Sequence, residues 1–112
     1  KLLNEVVGVL LRFRSHKIAF SGDVSKMFLR ILLDPADRPY HCFLWRPSPQ
    51  GDIAMFQFQV HVFGNKGSPF VAVHVVKEHA KKYQKQAPKA VETIVHSTLI
   101  DDILDSEDTE EV

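Results

Sequence analysis

Carboxylates stand directly after short apolar segments at two places in the chain. Asp23 follows residues 17–22, and the pair Asp101-Asp102 follows residues 98–100. A carboxylate near an apolar core is costly unless a partner compensates its charge, and Mg²⁺, which prefers oxygen ligands, is one such partner. Two such ions can activate an attacking oxygen and stabilise a leaving one. The pattern therefore fits a two-metal phosphoryl-transfer site; the alternative is structural, with Asp23 as a helix N-cap and Asp101-Asp102 as a hairpin turn.

A glycine-containing turn precedes a predicted helix. The run Gly-Asn-Lys-Gly at residues 64–67 leads into Ser68, which suits a helix N-cap, and Pro69, which suits the first helical position. Helix N-termini attract anions, so this turn is a candidate phosphate cradle. It has neither the Walker nor the Rossmann spacing.

Histidine and cysteine chemistry is not indicated. His74 and His79 stand five residues apart, whereas three or four would align them on one helical face. The single cysteine, Cys42, excludes an internal disulfide framework and a Cys-rich zinc module. No nucleophile-elbow motif supports a Ser-His-Asp triad.

The charge is balanced overall but unevenly placed. Fourteen Lys and Arg residues match fourteen Asp and Glu residues, and residues 101–112 hold seven of the acids and no base. A basic stretch is formed by Lys77, Lys81, Lys82, Lys85 and Lys89. This arrangement suits a protein that holds a polyanion near bound cations, and it equally describes a solvated helix with an acidic tail.

Composition and length indicate one globular domain or part of one. The chain has 112 residues, 45% hydrophobic and 25% charged. Its longest apolar run, residues 6–11, is far shorter than the roughly 20 residues that span a bilayer, so no membrane partner is expected. With no initiator Met or leader, the chain is expected to be cut from a longer protein.

Hydrophobic periodicity predicts an α+β layer, a small antiparallel sheet with helices packed on one face. The predicted helices cover residues 2–14, 24–32 (one or two turns), 68–86 and 90–95. The third is expected to end before Pro88, and one of its faces is marked by Phe70, Val73, Val76, Ala80 and Tyr83. The predicted strands cover residues 17–22, 40–46 and 53–63, followed by a strand, an acidic turn and a returning strand over residues 98–106. Residues 40–46 and 53–63 are expected to pair as an antiparallel hairpin, the second strand half-buried because its apolar residues alternate.

Three segments in order resemble the motifs of a reverse transcriptase palm. They are the apolar strand into Asp23 with Phe28 five residues on, residues 63–70 (Phe-Gly-Asn-Lys-Gly-Ser-Pro-Phe), and residues 99–102 (Leu-Ile-Asp-Asp). The amino-acid sequences of residues 2–14, 60–64 and 101–106 resemble those of retrotransposon polyproteins of the BEL/Pao type. The resemblance extends over nearly the whole chain. It departs from the common pattern at Leu99, where the family usually has Tyr or Phe.

The resemblance implies a role for each matching residue. Asp23 and Asp101 would be the principal metal ligands, Asp102 the less direct acid, and the Val24 carbonyl a further ligand. Phe28 would pack under the incoming sugar and discriminate against a 2′-hydroxyl. The residues that would lie against the template and the nascent base pair are Gly64, Lys66, Gly67, Ser68 and Pro69.

The resemblance also implies a fold and an activity. Residues 1–112 would be part of a polymerase palm, ferredoxin-like or RRM-like, with most of the fingers upstream and the thumb, RNase H and integrase downstream. The parent would be an RNA-directed DNA polymerase using Mg²⁺, or Mn²⁺ in its place, on an RNA or DNA template-primer and deoxynucleoside triphosphates, inside the cell. The isolated chain is expected to be inactive.

Two other functions stay open at this stage. A non-catalytic, domesticated relic would bind nucleic acid through the same small sheet and basic helix. An unrelated metal-dependent phosphohydrolase would cleave small phosphate esters without a template. The acids discriminate against the first alternative, because a pure binder has no need of Asp23 together with Asp101-Asp102.

Overall fold

The computed structural model describes residues 2–110 and has an α+β fold. Its helices are α1 (Val6–Phe13), α2 (Ser68–Lys81) and α3 (Pro88–His96). Its strands are β1 (Ile18–Asp23), β2 (Cys42–Trp45), β3 (Ala54–Gln57), β4 (Thr98–Leu99) and β5 (Asp102–Glu107). Short 3-10 turns lie at Phe28–Arg30 and Arg38–Tyr40. The predicted class, a small antiparallel sheet with packed helices, is confirmed.

The larger sheet has three antiparallel strands in the order β1-β5-β4. β1 pairs along the whole of β5, from Ile18 opposite Glu107 to Asp23 opposite Asp102. β4 pairs only with the start of β5, where Leu99 lies opposite Asp102. The predicted strand, acidic turn and returning strand are confirmed, and the register brings the end of β1 to this turn.

The β2–β3 hairpin forms as predicted but is not half-buried. Phe43 pairs with Phe56 across it, and their rings stack with centroids 5.7 Å apart. β3 ends at Gln57, and all eight residues of the two strands are exposed. The alternating pattern predicts burial only where a second layer covers the sheet, and no layer within residues 2–110 covers this hairpin.

The core lies between α2 and the segment that follows β1. It consists of Met27, Phe28, Ala72 and Val73, with partly buried side chains packed around it. Burying aromatic and aliphatic side chains of this kind is the main source of stability in so small a domain. The core therefore anchors the chain within a few residues of Asp23.

The buried face of α2 differs from the predicted one. Val73 and Ala80 are buried as expected, but Phe70 is 57% exposed and Tyr83 45% exposed. Lys77, which belongs to the predicted basic stretch, is only 7% exposed. α2 also ends at Lys81 rather than at residue 86.

Two helix starts lie elsewhere than predicted. α2 begins at Ser68, its N-cap is Gly67, and no side chain caps it, so the prediction of Ser68 as N-cap is wrong by one residue. Pro88, predicted to end α2, begins α3 instead. Proline is tolerated in a first turn because its missing N–H has no helical acceptor there.

Arg12 joins α1 to α3 and the sheet. Its Nε donates to Ser97 Oγ at 3.2 Å, and its guanidinium also donates to the His96 carbonyl. The Ser106 hydroxyl donates to the Arg12 carbonyl at 2.5 Å. A cation at the last carbonyls of a helix is favourable, so this contact fixes α1 against the end of α3. Over residues 2–110, no helix combines the length and apolar character needed to cross a membrane.

Candidate metal centre

Three carboxylates meet where β1 ends and the β4–β5 turn begins. One carboxylate oxygen from each of Asp23, Asp101 and Asp102 lies within 4.8 Å of the others. Asp23 closes β1, Asp102 opens β5 directly opposite it, and Asp101 occupies the turn before β5. The structure thus gathers the acids that the sequence places in two distant segments.

Backbone pairing fixes this arrangement. The Val24 N–H donates to the Asp101 carbonyl at 2.8 Å, one residue beyond the last strand pair. A one-residue slip between two strands would send every side chain to the opposite face. The register from Ile18–Glu107 to Asp23–Asp102 therefore determines whether the carboxylates meet.

The donor set fits a hard divalent cation. Asp23 and Asp102 are exposed and Asp101 is half-buried, so an ion would have access from solvent. Among the residues the structure describes, no hydrogen bond or ion pair engages these three carboxylates. Like charges this close repel one another, and oxygen donors from one or two carboxylates are what Mg²⁺ commonly takes from a protein.

The turn that carries Asp101 is strained. Leu99 and Asp102 flank a two-residue loop, in which Ile100 has φ 56° and Asp101 does not share the positive φ. A positive φ at the first central residue alone is typical of a type II′ turn, where glycine is preferred. A β-branched residue there is rare and costs of order 1–3 kcal/mol. Ile100 is thus a strained residue directly next to the carboxylates.

Phe28 lies in the core rather than on an open surface. Its side chain is 6% exposed, and its ring meets Phe63 edge to face with centroids 4.8 Å apart. Phe63 is 68% exposed and is the ring of the pair that reaches solvent. The Val24 carbonyl accepts the Met27 N–H at 3.1 Å. The roles of Phe28 beneath a sugar and of the Val24 carbonyl as a metal ligand stay predictions.

The predicted phosphate-cradling turn lies in a pocket of its own. Gly64 has φ +88°, a conformation that favours glycine. Lys66, Gly67 and Ser68 line a cavity of about 330 Å³ that none of the three acids lines. Ser68 is 1% exposed, and Pro69 follows it in the first turn of α2. Phe28, five residues after Asp23, contacts Phe63, which directly precedes Gly64.

Two histidines in this cavity were not assigned a role from the sequence. The Asn65 amide is 2.8 Å from His41 Nδ1, and Ser68 Oγ is 3.4 Å from His61 Nδ1. Both contacts join the turn to the segments on either side of the β2–β3 hairpin. They depend on tertiary approach, so spacing along the chain carries no signal for them.

The basic stretch is divided by burial. Lys81, Lys82, Lys85 and Lys89 are exposed, whereas burial, and secondarily the charge of Lys81, lowers the pKa of Lys77. Lys81 is 2.6 Å from Glu78 and Lys89 is 3.7 Å from Glu107. The lysines at residues 81–89 are thus open to solvent, whereas Lys77 has a structural environment.

No protein-family model matches the chain, and no curated protein matches it significantly.

Proposed function

We propose that this chain carries the catalytic carboxylates of an RNA-directed DNA polymerase of the BEL/Pao retrotransposon type. The observation that supports the proposal is the approach of Asp23, Asp101 and Asp102 to within 4.8 Å. The resemblance to polymerase motifs requires this approach, and the strand register provides it.

The reaction is attack of a primer 3′-hydroxyl on the α-phosphorus of a deoxynucleoside triphosphate, with pyrophosphate leaving. Two Mg²⁺ ions, when bound, supply charge neutralisation and an activated primer oxygen. Asp23 and Asp101 would hold them, with Asp102 as the neighbouring acid. Such a transfer depends on positioning and electrostatics rather than on covalent chemistry by the protein. The paired ends of β1 and β5 would supply the positioning.

The remaining residues would orient the substrates. Gly64, Lys66, Gly67, Ser68 and Pro69 form the turn and helix start that would lie against the template and the nascent base pair. Lys66 is exposed and would contact a phosphate as a point charge. Phe28, fixed in the core, would support the sugar pocket from below. The parent enzyme would work inside the cell, in the cytoplasm or in virus-like particles.

Primer extension tests this function. The assay would use the proposed parent polypeptide, in which fingers and thumb flank this chain, with an RNA template, a DNA primer and Mg²⁺. We expect template-directed extension that Asp101→Asn abolishes, because loss of a principal ligand removes charge neutralisation. Asp52→Asn, on the exposed turn before β3, is the matched control and should retain extension. Extension by Asp101→Asn at the unsubstituted rate would contradict the proposal.

The exposed lysines favour one alternative, a non-catalytic nucleic-acid-binding module. Residues 81–90 are exposed throughout and include Lys81, Lys82, Lys85 and Lys89, which suits contacts to phosphates. Binding of an RNA–DNA hybrid by the 112-residue chain separates the two functions. A polymerase centre predicts that Mg²⁺ strengthens binding through Asp23 and Asp101. Binding that is unaffected by Mg²⁺ and by Asp101→Asn would favour the module.

A further inference from the structure

The side chain of Asn4 lies where the N-terminal segment, α3 and β4 meet. Its Nδ2 donates to the Val95 carbonyl at 3.0 Å and to the Thr98 carbonyl at 2.9 Å. Its Oδ1 accepts from Lys77 Nζ at 3.4 Å. One side chain therefore joins the end of α3, the start of β4 and, through Lys77, the middle of α2.

The two carbonyls that Asn4 contacts lack partners in their own elements. Val95 is among the last four residues of α3, whose carbonyls have no intrahelical donor. In the β4–β5 ladder, Leu99 and Asp102 close a two-residue turn and Thr98 lies opposite Ile103. Hydrogen-bonded and non-hydrogen-bonded pairs alternate, so the Thr98 carbonyl points away from β5. The next pair, Ser97 opposite Leu104, is hydrogen-bonded as the alternation requires: the Ser97 carbonyl accepts the Leu104 N–H at 3.0 Å.

Lys77 holds the other side of this junction. Its Nζ donates to the Leu2 carbonyl at 2.7 Å, and its side chain is 7% exposed. Within residues 2–110 it forms no ion pair. A buried ammonium without an acid is costly, so the hydrogen bonds to Leu2 and Asn4 compensate part of that cost. They also fix Asn4 in place.

β4 depends on this external support because it is short. It contributes two residue pairs to the sheet, and only two residues lie between Thr98 and Asp101. Asp23 is held separately, by the six residue pairs of β1 with β5. Asp101 is held from two sides, by the Val24 N–H that donates to its carbonyl at 2.8 Å and, through the turn, by β4. The anchoring of β4 therefore contributes to the position of Asp101 relative to Asp23.

We infer that Asn4 is a positioning residue for the acidic cluster, acting through the Thr98 carbonyl on the turn that carries Asp101. The inference rests on the proposed function, since the cluster is taken as the metal centre. Asn4 touches no substrate and no metal ligand atom. Its role is to hold β4 against the end of α3, so that Asp101 meets Asp23 and Asp102.

Asn4→Asp is the informative substitution. It keeps the size of the side chain and an acceptor for Lys77 but removes both N–H donors. The added negative charge alone would strengthen cation binding, so weaker binding cannot arise from charge. Asn4→Ala is the second variant, and Gln50→Glu is the control because it makes the same amide-to-carboxylate change in an exposed turn.

The measurements are Mn²⁺ affinity by electron paramagnetic resonance and amide hydrogen exchange without metal, on the 112-residue chain. In Asn4→Asp and Asn4→Ala we expect about tenfold weaker Mn²⁺ binding, the size expected for losing one or two hydrogen bonds. Exchange should become faster at residues 98–104 and stay unchanged in α1. Gln50→Glu should keep the unsubstituted Mn²⁺ affinity and exchange rates.

These measurements distinguish failure of the positioning role of Asn4 from failure of the proposed function. Exchange at residues 98–104 and Mn²⁺ affinity that are unchanged in both Asn4 variants would overturn the positioning role. Mn²⁺ binding by the unsubstituted chain that Asp101→Asn leaves intact would overturn the proposed function instead. A loss of affinity accompanied by faster exchange throughout the chain would show general unfolding and would also overturn the inference.

Discussion

Asp23 and Asp102 face each other as the last residue pair of β1 and β5. Each strand thus delivers a carboxylate to the same end of the sheet, and the turn before β5 adds Asp101. Repulsion among three acids disfavours this geometry, and a bound cation would remove the repulsion.

Neutralising one acid should stabilise the metal-free protein. Asp23→Asn and Asp102→Asn each remove repulsion from the cluster, so the midpoint of thermal unfolding in EDTA should rise. Asp52→Asn, far from the cluster in the sequence and exposed, should leave the midpoint unchanged. Differential scanning calorimetry makes the comparison. A lower midpoint in both cluster variants would mean that the carboxylates stabilise the fold, contrary to this account.

Glycine at position 100 should relieve the strained turn. Ile100 has φ 56° and is 38% exposed, so glycine would relieve the strain but also lose the packing of the buried part of the side chain. Ile100→Ala loses nearly the same packing but keeps a Cβ at positive φ, so the free energy of unfolding of Ile100→Gly should exceed that of Ile100→Ala by about 1 kcal/mol. Urea unfolding measures both variants. Equal stability of the two would show that the turn is not strained.

The two rings of the Phe28–Phe63 pair should differ in their effect on stability. Phe28→Ala removes a buried ring and leaves a cavity in the core, so it should lower the free energy of unfolding by about 3 kcal/mol or more. Phe63 is 68% exposed, so Phe63→Ala should lose only the ring contact, about 1 kcal/mol. Urea unfolding provides both values. A larger loss at Phe63 than at Phe28 would contradict the core assignment.

Lys77 should make stability depend on pH. Burial lowers the pKa of Lys77 from its ordinary value of 10.5, so the unfolded chain binds this proton more tightly than the folded chain. The free-energy cost of burying the charged ammonium is fully present below the folded-state pKa. It decreases as pH rises from the folded-state pKa towards 10.5. Relative to Lys77→Met, the unsubstituted chain should gain stability over this range. A constant difference between the two in urea unfolding at successive pH values would refute the effect.

The fold class and the acidic cluster were predictable because their signals are local. The paired acids after residues 98–100 and Asp23 after an apolar strand are visible in the sequence, and antiparallel pairing brings such strand ends together. The exposure of Phe56 and the burial of Lys77 were not predictable. Periodicity gives the face of an element but not whether another layer covers it, nor which hydrogen bonds compensate a buried charge.

The hydrogen bonds of Asn4 were also not predictable from the sequence. Nothing in residues 2–4 identifies an amide that bonds two carbonyls more than ninety residues along the chain. The Val95 and Thr98 carbonyls lack partners in their own elements because α3 ends at this point and β4 pairs with β5 on one side only. Such contacts depend on the assembled fold, and a single sequence carries no periodic signal for them.

Mn²⁺-induced broadening of amide NMR signals in the 112-residue chain tests the central claim most directly. We predict broadening centred on Asp23, Asp101 and Asp102, lost in Asp101→Asn and kept in Asp52→Asn, because three oxygen donors within 4.8 Å suit a hard divalent cation. Broadening that is centred elsewhere, or that persists in Asp101→Asn, would contradict the assignment of these carboxylates as a metal centre.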